Sequence, residues 1–225
     1  MRRFVFFKLI AAFVLTIVVA GPVRAAATAH EGAGPLPAHF SEAEQADLKR
    51  VSAYLNGIQS VEGRFLQIAG DGKSQQGTFY LKKPGRIRFE YQKPNPVLIV
   101  ADGTTVAVEN SDLHTTDRYP LLNSPLRLLL SENVDLSNDP RISAVKQGQG
   151  VLSITAREST GPAIGAITLN FADSGAAGLE LRQWEVVDAQ GARTTIVISE
   201  MHPVADIPAR LFVIEDMSPF KKNQR

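Results

Sequence analysis

The sequence predicts an α+β fold: a single curved antiparallel sheet of about ten strands with short helices laid on its apolar face. Three observations carry that prediction. From Val61 onward apolar side chains recur at every second position, the mark of a sheet with one buried and one wet face. Turn residues, chiefly Asp-Gly and Gly-x-Gly, divide this region into short runs at hairpin spacing. Two segments break the alternation, and both read as helices with an apolar side.

The chain opens with an address. Residues 1–8 carry three positive charges, residues 9–21 form an apolar run of 13, and Ala25-Ala26-Ala27 or Ala27-Thr28-Ala29 supplies a small-residue cleavage site. That order is an export signal, and the run is shorter than the ~20 residues of a membrane span. Residues 1–27 are therefore expected to be removed, after Ala27 or Ala29. They hold four bases and no acid, which leaves 20 bases against 23 acids, a formal charge of −3. The exported chain has no bulk attraction for nucleic acid or an anionic membrane. Residues 28–40 are small and Gly/Pro-rich and read as a flexible arm. One domain is expected over 41–225.

Ser41 begins a helix, with Glu44 completing a capping box and Leu48, Val51, Leu55 and Ile58 forming one apolar stripe. Asn56-Gly57 marks its stop. In 77–83, Phe79 and Leu81 face one way and Thr78, Tyr80 and Lys82 the other. In 85–92, Ile87, Phe89 and Tyr91 alternate with Arg86, Arg88, Glu90 and Gln92. Asp102-Gly103 joins strands at 97–101 and 105–108. Further strand-like runs lie at 142–146, 152–157, 167–173, 179–187, 194–201 and 211–215, and a meander is the simplest topology for them. The second helix falls within 121–131, where Ser124 and Pro125 suit a helix start and Leu126, Leu128, Leu129 and Leu130 follow. A helix so apolar is expected to be covered.

Little in the chain suggests chemistry. There is no cysteine, which excludes thiol catalysis, disulfides and attachment of a lipid to an N-terminal Cys. His30, His39, His114 and His202 are scattered and lack metal-ligand spacing. Gly72-Lys73-Ser74 lacks the upstream glycine of a phosphate loop, and no G-x-S-x-G elbow occurs. No catalytic residue, metal or cofactor is expected.

One segment exceeds what turn rules require: Lys82-Lys83-Pro84-Gly85 joins two amphipathic strands that end at Phe89-Glu90-Tyr91. Together with VEGRFLQ (61–67), GTFYLKKPGRIRFEY (77–91), PNPVLIVADGTTV (94–106) and YPLLNSPLRLLL (119–130), it resembles the LolA family of periplasmic carriers of outer-membrane lipoproteins. The resemblance covers roughly 45–215. It implies an incomplete β-barrel of 10–11 strands whose helices form a lid over a hydrophobic cavity. It also implies a periplasmic, non-enzymatic carrier, expected to be a monomer. Such a carrier takes acylated lipoproteins from an ATP-driven inner-membrane transporter and hands them to an outer-membrane acceptor.

The family usually has Arg immediately before the Pro of the strand-connecting turn, where it helps to hold the lid shut; here the residue is Lys83. A compact ammonium replaces a planar fork of donors, and its expected partners are lid carbonyls near 126–131. Candidate acyl-cavity residues are Phe65, Phe79, Leu81, Ile87, Phe89 and Tyr91 on the sheet and Leu126, Leu129 and Leu130 on the lid. Trp184 alternates with Val186 and fits either lining or packing. A lipid- or lipoprotein-binding sensor of the same fold, a glycolipid or phospholipid carrier, and a secreted hydrolase are the rival readings.

Overall fold

The computed structural model describes residues 39–158, 165–175 and 178–217. The expected leader (1–27) and the arm up to residue 38 lie outside them. Helix α1 (Glu42–Gly57) starts as the sequence predicts. The Ser41 hydroxyl accepts the Glu44 N–H at 3.3 Å while the Glu44 carboxylate accepts the Ser41 N–H at 2.8 Å. Its stripe of Leu48, Val51 and Leu55 is fully buried.

Eleven antiparallel strands follow: β1 (Ser60–Ala69), β2 (Ser74–Lys82), β3 (Arg86–Tyr91), β4 (Val97–Asp102), β5 (Thr105–Asn110), β6 (Thr115–Pro120), β7 (Ile142–Gly148), β8 (Val151–Glu158), β9 (Gly165–Asp173), β10 (Leu179–Asp188) and β11 (Arg193–Pro203). They form one open sheet in the order β6-β5-β4-β3-β2-β1-β11-β10-β9-β8-β7. The single meander expected from the sequence is therefore two meanders, β1–β6 and β7–β11, fused where the first strand pairs with the last. Register shifts insert bulges in β11, β10 and β7, which bend and twist a sheet this wide.

Two expectations about strands are corrected. β6 is a strand that the sequence hides: Thr115-Thr116-Asp117-Arg118 has no apolar alternation, because β6 is a free edge with neither face deeply buried. The run at 211–215 is not a strand. Leu211 and Phe212 belong to a 3₁₀ turn (Ala209–Phe212) in a strap that crosses the outer face of the first meander and packs on β3 and β4.

The strap sits where the outer face carries small apolar groups. Val100 pairs with Ala107 and Arg88, so both alanine and valine face outward, yet both are fully buried. Phe212 and Ile207 supply the matching cover. Polar bonds fasten the strap. Lys82 Nζ reaches Asp206 at 2.9 Å and the Ile207 carbonyl at 3.0 Å, and Arg88 reaches the Leu211 carbonyl at 3.0 Å. The buried Glu109 carboxylate accepts the Glu215 N–H at 2.8 Å, and burial raises its pKa.

Between β6 and β7 the chain runs as a 3₁₀ turn (Leu121–Asn123), a short helix α2 (Arg127–Leu130) and an irregular stretch to residue 141. The expected helix start at Ser124 and Pro125 is corrected: α2 begins at Arg127 after Leu126, and the Ser124 hydroxyl only accepts the Leu126 N–H at 3.2 Å in the turn before it. Leu128, Leu129, Leu130, Val134 and Leu136 turn inward and join the core with α1 and the inner sheet face.

The inner face of β2–β3 is so closely filled that one residue there has no room for a side chain. A Cβ on Gly77 would lie 1.9 Å from the Glu90 carbonyl oxygen and 2.7 Å from the Phe65 ring. Gly77→Ala must part the β2–β3 ladder, and we expect urea unfolding to show a loss of about 2 kcal/mol or more, the usual range for overpacking. An unchanged midpoint would mean that this pairing adjusts at no cost.

Candidate functional site

The interior is built from alternate side chains of the sheet. Phe65 (β1), Phe79 and Leu81 (β2) and Ile87, Phe89 and Tyr91 (β3) all point inward and join one apolar cluster, as the two-residue period predicts. The rings interlock edge to face. Phe65 lies 5.1 Å from Phe89 and 5.0 Å from Tyr91, both near 90°, and Phe89 meets Trp184 at 6.2 Å. Trp184, which the sequence left open, is 3% exposed and belongs to this wall. The Tyr91 hydroxyl donates to Gln67 inside the core, and burial pushes the phenol pKa up.

From the cover, Leu129 and Leu130 enter the same cluster, whereas Leu126 is only half-buried at its margin. Leu128, absent from the expected set, is buried. The spacing explains the exchange: α2 is one turn long, so Leu126 precedes it and the three consecutive leucines that make up its end face the interior together. Leu128 also borders a surface cleft between α2 and β8–β9, where Leu122 is 70% exposed.

Polar bonds at one rim join the cover to the sheet. Lys83 is 8% exposed, and its ammonium donates to the Leu55 carbonyl at the end of α1, 2.8 Å away. The sequence placed its partner in 126–131; the structure places it in α1. The α2 carbonyl at Leu130 is taken by the backbone N–H of Gly85 at 2.9 Å, two residues further along the same turn. Gly85 is required there: its φ is +75° and a Cβ would sit 2.6 Å from Gly103 Cα. Among the described residues no carboxylate pairs with Lys83. Burial alone draws its amine down to about 8.

On the opposite side α1 is held differently. Arg50 grips Asp173 with two bonds of 2.7 and 3.1 Å and also reaches Asp47 at 2.9 Å, and this guanidinium holds the Asp173 carboxyl down at about 2. The buried side of Tyr54 extends to β10, where its hydroxyl accepts the Leu181 N–H at 3.0 Å. Among the described residues no three His, Asp or Glu side chains converge where a metal could sit, and no helix is long and apolar enough to cross a membrane.

The family profile described as outer membrane lipoprotein carrier protein LolA matches residues 56–215, most of the chain. The chain belongs to the LolA family. An outer-membrane lipoprotein carrier protein of Xanthomonas oryzae is 32% identical over 173 residues, spanning 71% of this chain and 79% of that one. One from Cupriavidus pinatubonensis is 28% identical over 192 residues, 78% and 86% of the two chains. A solved LolA superfamily protein from Nitrosomonas europaea superposes with a TM-score of 0.42 at 13% identity, over 76% of this chain and 97% of that one.

Sequence reasoning found Lys83 and the inner wall but missed the residues that α1 uses to bind the cover. The sequence marks Asn56 only as a helix stop and gives Ser52 no distinguishing context. Each bonds to a backbone group about 80 residues away, for which a sequence carries no signal.

Lys83 also makes a prediction about pH. Its amine pKa is about 8 in the folded chain and near its ordinary 10.5 when unfolded. Between these values the unfolded chain binds the proton and the folded one does not, so stability rises with pH across that window. Below about pH 8 both states are protonated and the burial penalty stands in full. Wild type should therefore gain on Lys83→Met in denaturant titrations run from neutral pH up to about pH 9.5. Parallel curves would show that the ammonium is solvated in the folded chain.

Proposed function

We propose that this chain is a periplasmic carrier that shelters the acyl chains of outer-membrane lipoproteins between the two membranes. The observation that carries the reading is the shape of the apolar interior. Inward side chains of both meanders form one surface, and α1 and the 121–136 chain cover it through a small number of polar bonds. Membership of the LolA family supports the same reading.

The energetics suit a carrier. One acyl chain of roughly 14 methylenes is worth on the order of 11 kcal/mol when withdrawn from water. A site that bound it against nothing would never release it. Here the leucines of α2 already occupy the interior, so loading exchanges one apolar partner for another and the net gain is small. Lys83 tunes the balance of lifting the cover, since opening releases its bond to Leu55 while returning the ammonium to water. An ATP-driven inner-membrane transporter would supply the cargo and an outer-membrane acceptor would take it. No cofactor or covalent step enters this cycle.

The test is native mass spectrometry of the mature protein isolated from periplasm without detergent, with its ligand extracted into organic solvent. Triacylated protein bound one to one is the expected result. Free phospholipid or glycolipid alone would make this a lipid carrier. An empty protein that also fails to take lipoprotein from a reconstituted release step would favour a sensor of the same fold.

Lys83→Ala should loosen the empty carrier and slow transfer to the acceptor. Trp184, the only tryptophan of the chain, lies in the wall and reports the change as a red shift in its emission. Unchanged emission together with unchanged transfer would remove Lys83 from the closing role.

A further inference from the structure

The Lys83 ammonium bonds α1, yet the cover has two parts. We infer that Asn56 is the positioning residue that fastens α1 to the chain carrying α2, so that the single bond at Lys83 restrains both helices. The inference rests on the carrier reading above and assigns the moving body within it.

The contact is unusual for a helix side chain. Asn56 Nδ2 donates to the Val134 carbonyl at 3.0 Å, and Asn56 Oδ1 accepts the Val134 N–H at 2.8 Å. One side-chain amide thus satisfies both backbone groups of Val134, as a neighbouring strand would. One turn earlier on α1 the buried Ser52 hydroxyl accepts the Leu136 N–H at 3.0 Å and donates to the Leu48 carbonyl at 2.7 Å. Val134 and Leu136 are both buried beside the helix. Only residues 131–133 separate this clamp from the end of α2.

The bonds close a ring. From the β2–β3 turn, Lys83 reaches Leu55 of α1, and the next residue, Asn56, clamps Val134. The chain then leads back through α2 to Leu130, whose carbonyl returns to Gly85 of the same turn. A guanidinium could spread its donors over two helices, whereas an ammonium offers one compact point. Here the second helix is tied by Asn56 instead. Without that clamp, loss of Lys83 releases only the Leu55 end of α1, which Arg50 and Tyr54 still hold on the other flank, and leaves α2 held at Gly85. With it, α2 must leave when α1 does.

The chain has no cysteine, so spin labels can be placed at will. One pair joins the exposed Ala53 of α1 to the exposed Ser199 of β11; a second joins Leu122, just before α2, to Ser199. Double electron–electron resonance is recorded on the mature protein, its Lys83→Ala variant, and Lys83→Ala combined with Asn56→Ala and Ser52→Ala, since Ser52 also ties α1 to this chain. Circular dichroism melts check that each folds, and Asn56→Asp, which keeps the acceptor for the Val134 N–H and loses the donor, stands in if the alanine does not.

In Lys83→Ala both distance distributions should broaden and shift outward. In the combined variant only the Ala53 pair should do so, with the Leu122 pair returning to its wild-type width. A Leu122 pair that broadens equally in both variants overturns the clamp. A synthetic triacylated cysteinyl peptide at saturation should move both pairs in wild type. If it moves neither, the lid itself falls, and the inference with it, by a result independent of any Asn56 variant.

Discussion

Everything in this molecule depends on the pairing of β1 with β11. That ladder joins the start of the folded chain to its end and fuses two meanders into one sheet. It also sends the last strand of the first meander and the first strand of the second to opposite edges. β6 and β7 are consecutive in the chain yet are the two free edges, so the segment between them has to travel across the opening. The topology requires a long connection between the edges, and its apolar residues settle it on the inner face. Making that segment leucine-rich closes the interior with the chain's own apolar groups.

The two sides of α1 are secured by bonds of very different kinds. On one side a guanidinium forks onto a carboxylate whose charge it stabilises, and a tyrosine reaches a neighbouring strand. Such charge-assisted, two-point bonds are among the strong ones. On the other side a single ammonium, taken out of water with no counter-charge, meets a helix-terminal carbonyl. A carbonyl at a helix C-terminus carries partial negative charge and suits a cation, but it does not repay full desolvation. The helix is pinned by charge along one flank and fastened by one neutral acceptor along the other.

How much of this could be read from the chain follows from which forces leave a pattern in sequence. Burial does. The alternation of Phe79 and Leu81, and of Ile87, Phe89 and Tyr91, identified the inner wall because each strand has one wet face. The capping box at Ser41 and Glu44 is local chemistry and was equally plain. Edge position leaves almost no pattern, which is why the polar β6 escaped notice. The run Leu211-Phe212-Val213-Ile214 misled in the opposite sense: it is apolar because Phe212 covers the outer face, while Val213 is 57% exposed. Bonds from side chains to distant backbone leave no pattern at all. Lys83 drew attention through family resemblance, but Leu55 and Val134 act through peptide groups that every residue possesses.

The C-terminal strap has a consequence for how the interior can grow. Across β2 to β6 it adds a second layer outside the sheet, with Phe212 and Ile207 as filler and five side chains as stitches. That wall is laminated and resists bending; β8 to β11, which no strap crosses among the described residues, is a single ply. A load of variable bulk would be accommodated asymmetrically, with the aromatic half acting as a fixed template and the opposite half yielding to the size of what it encloses.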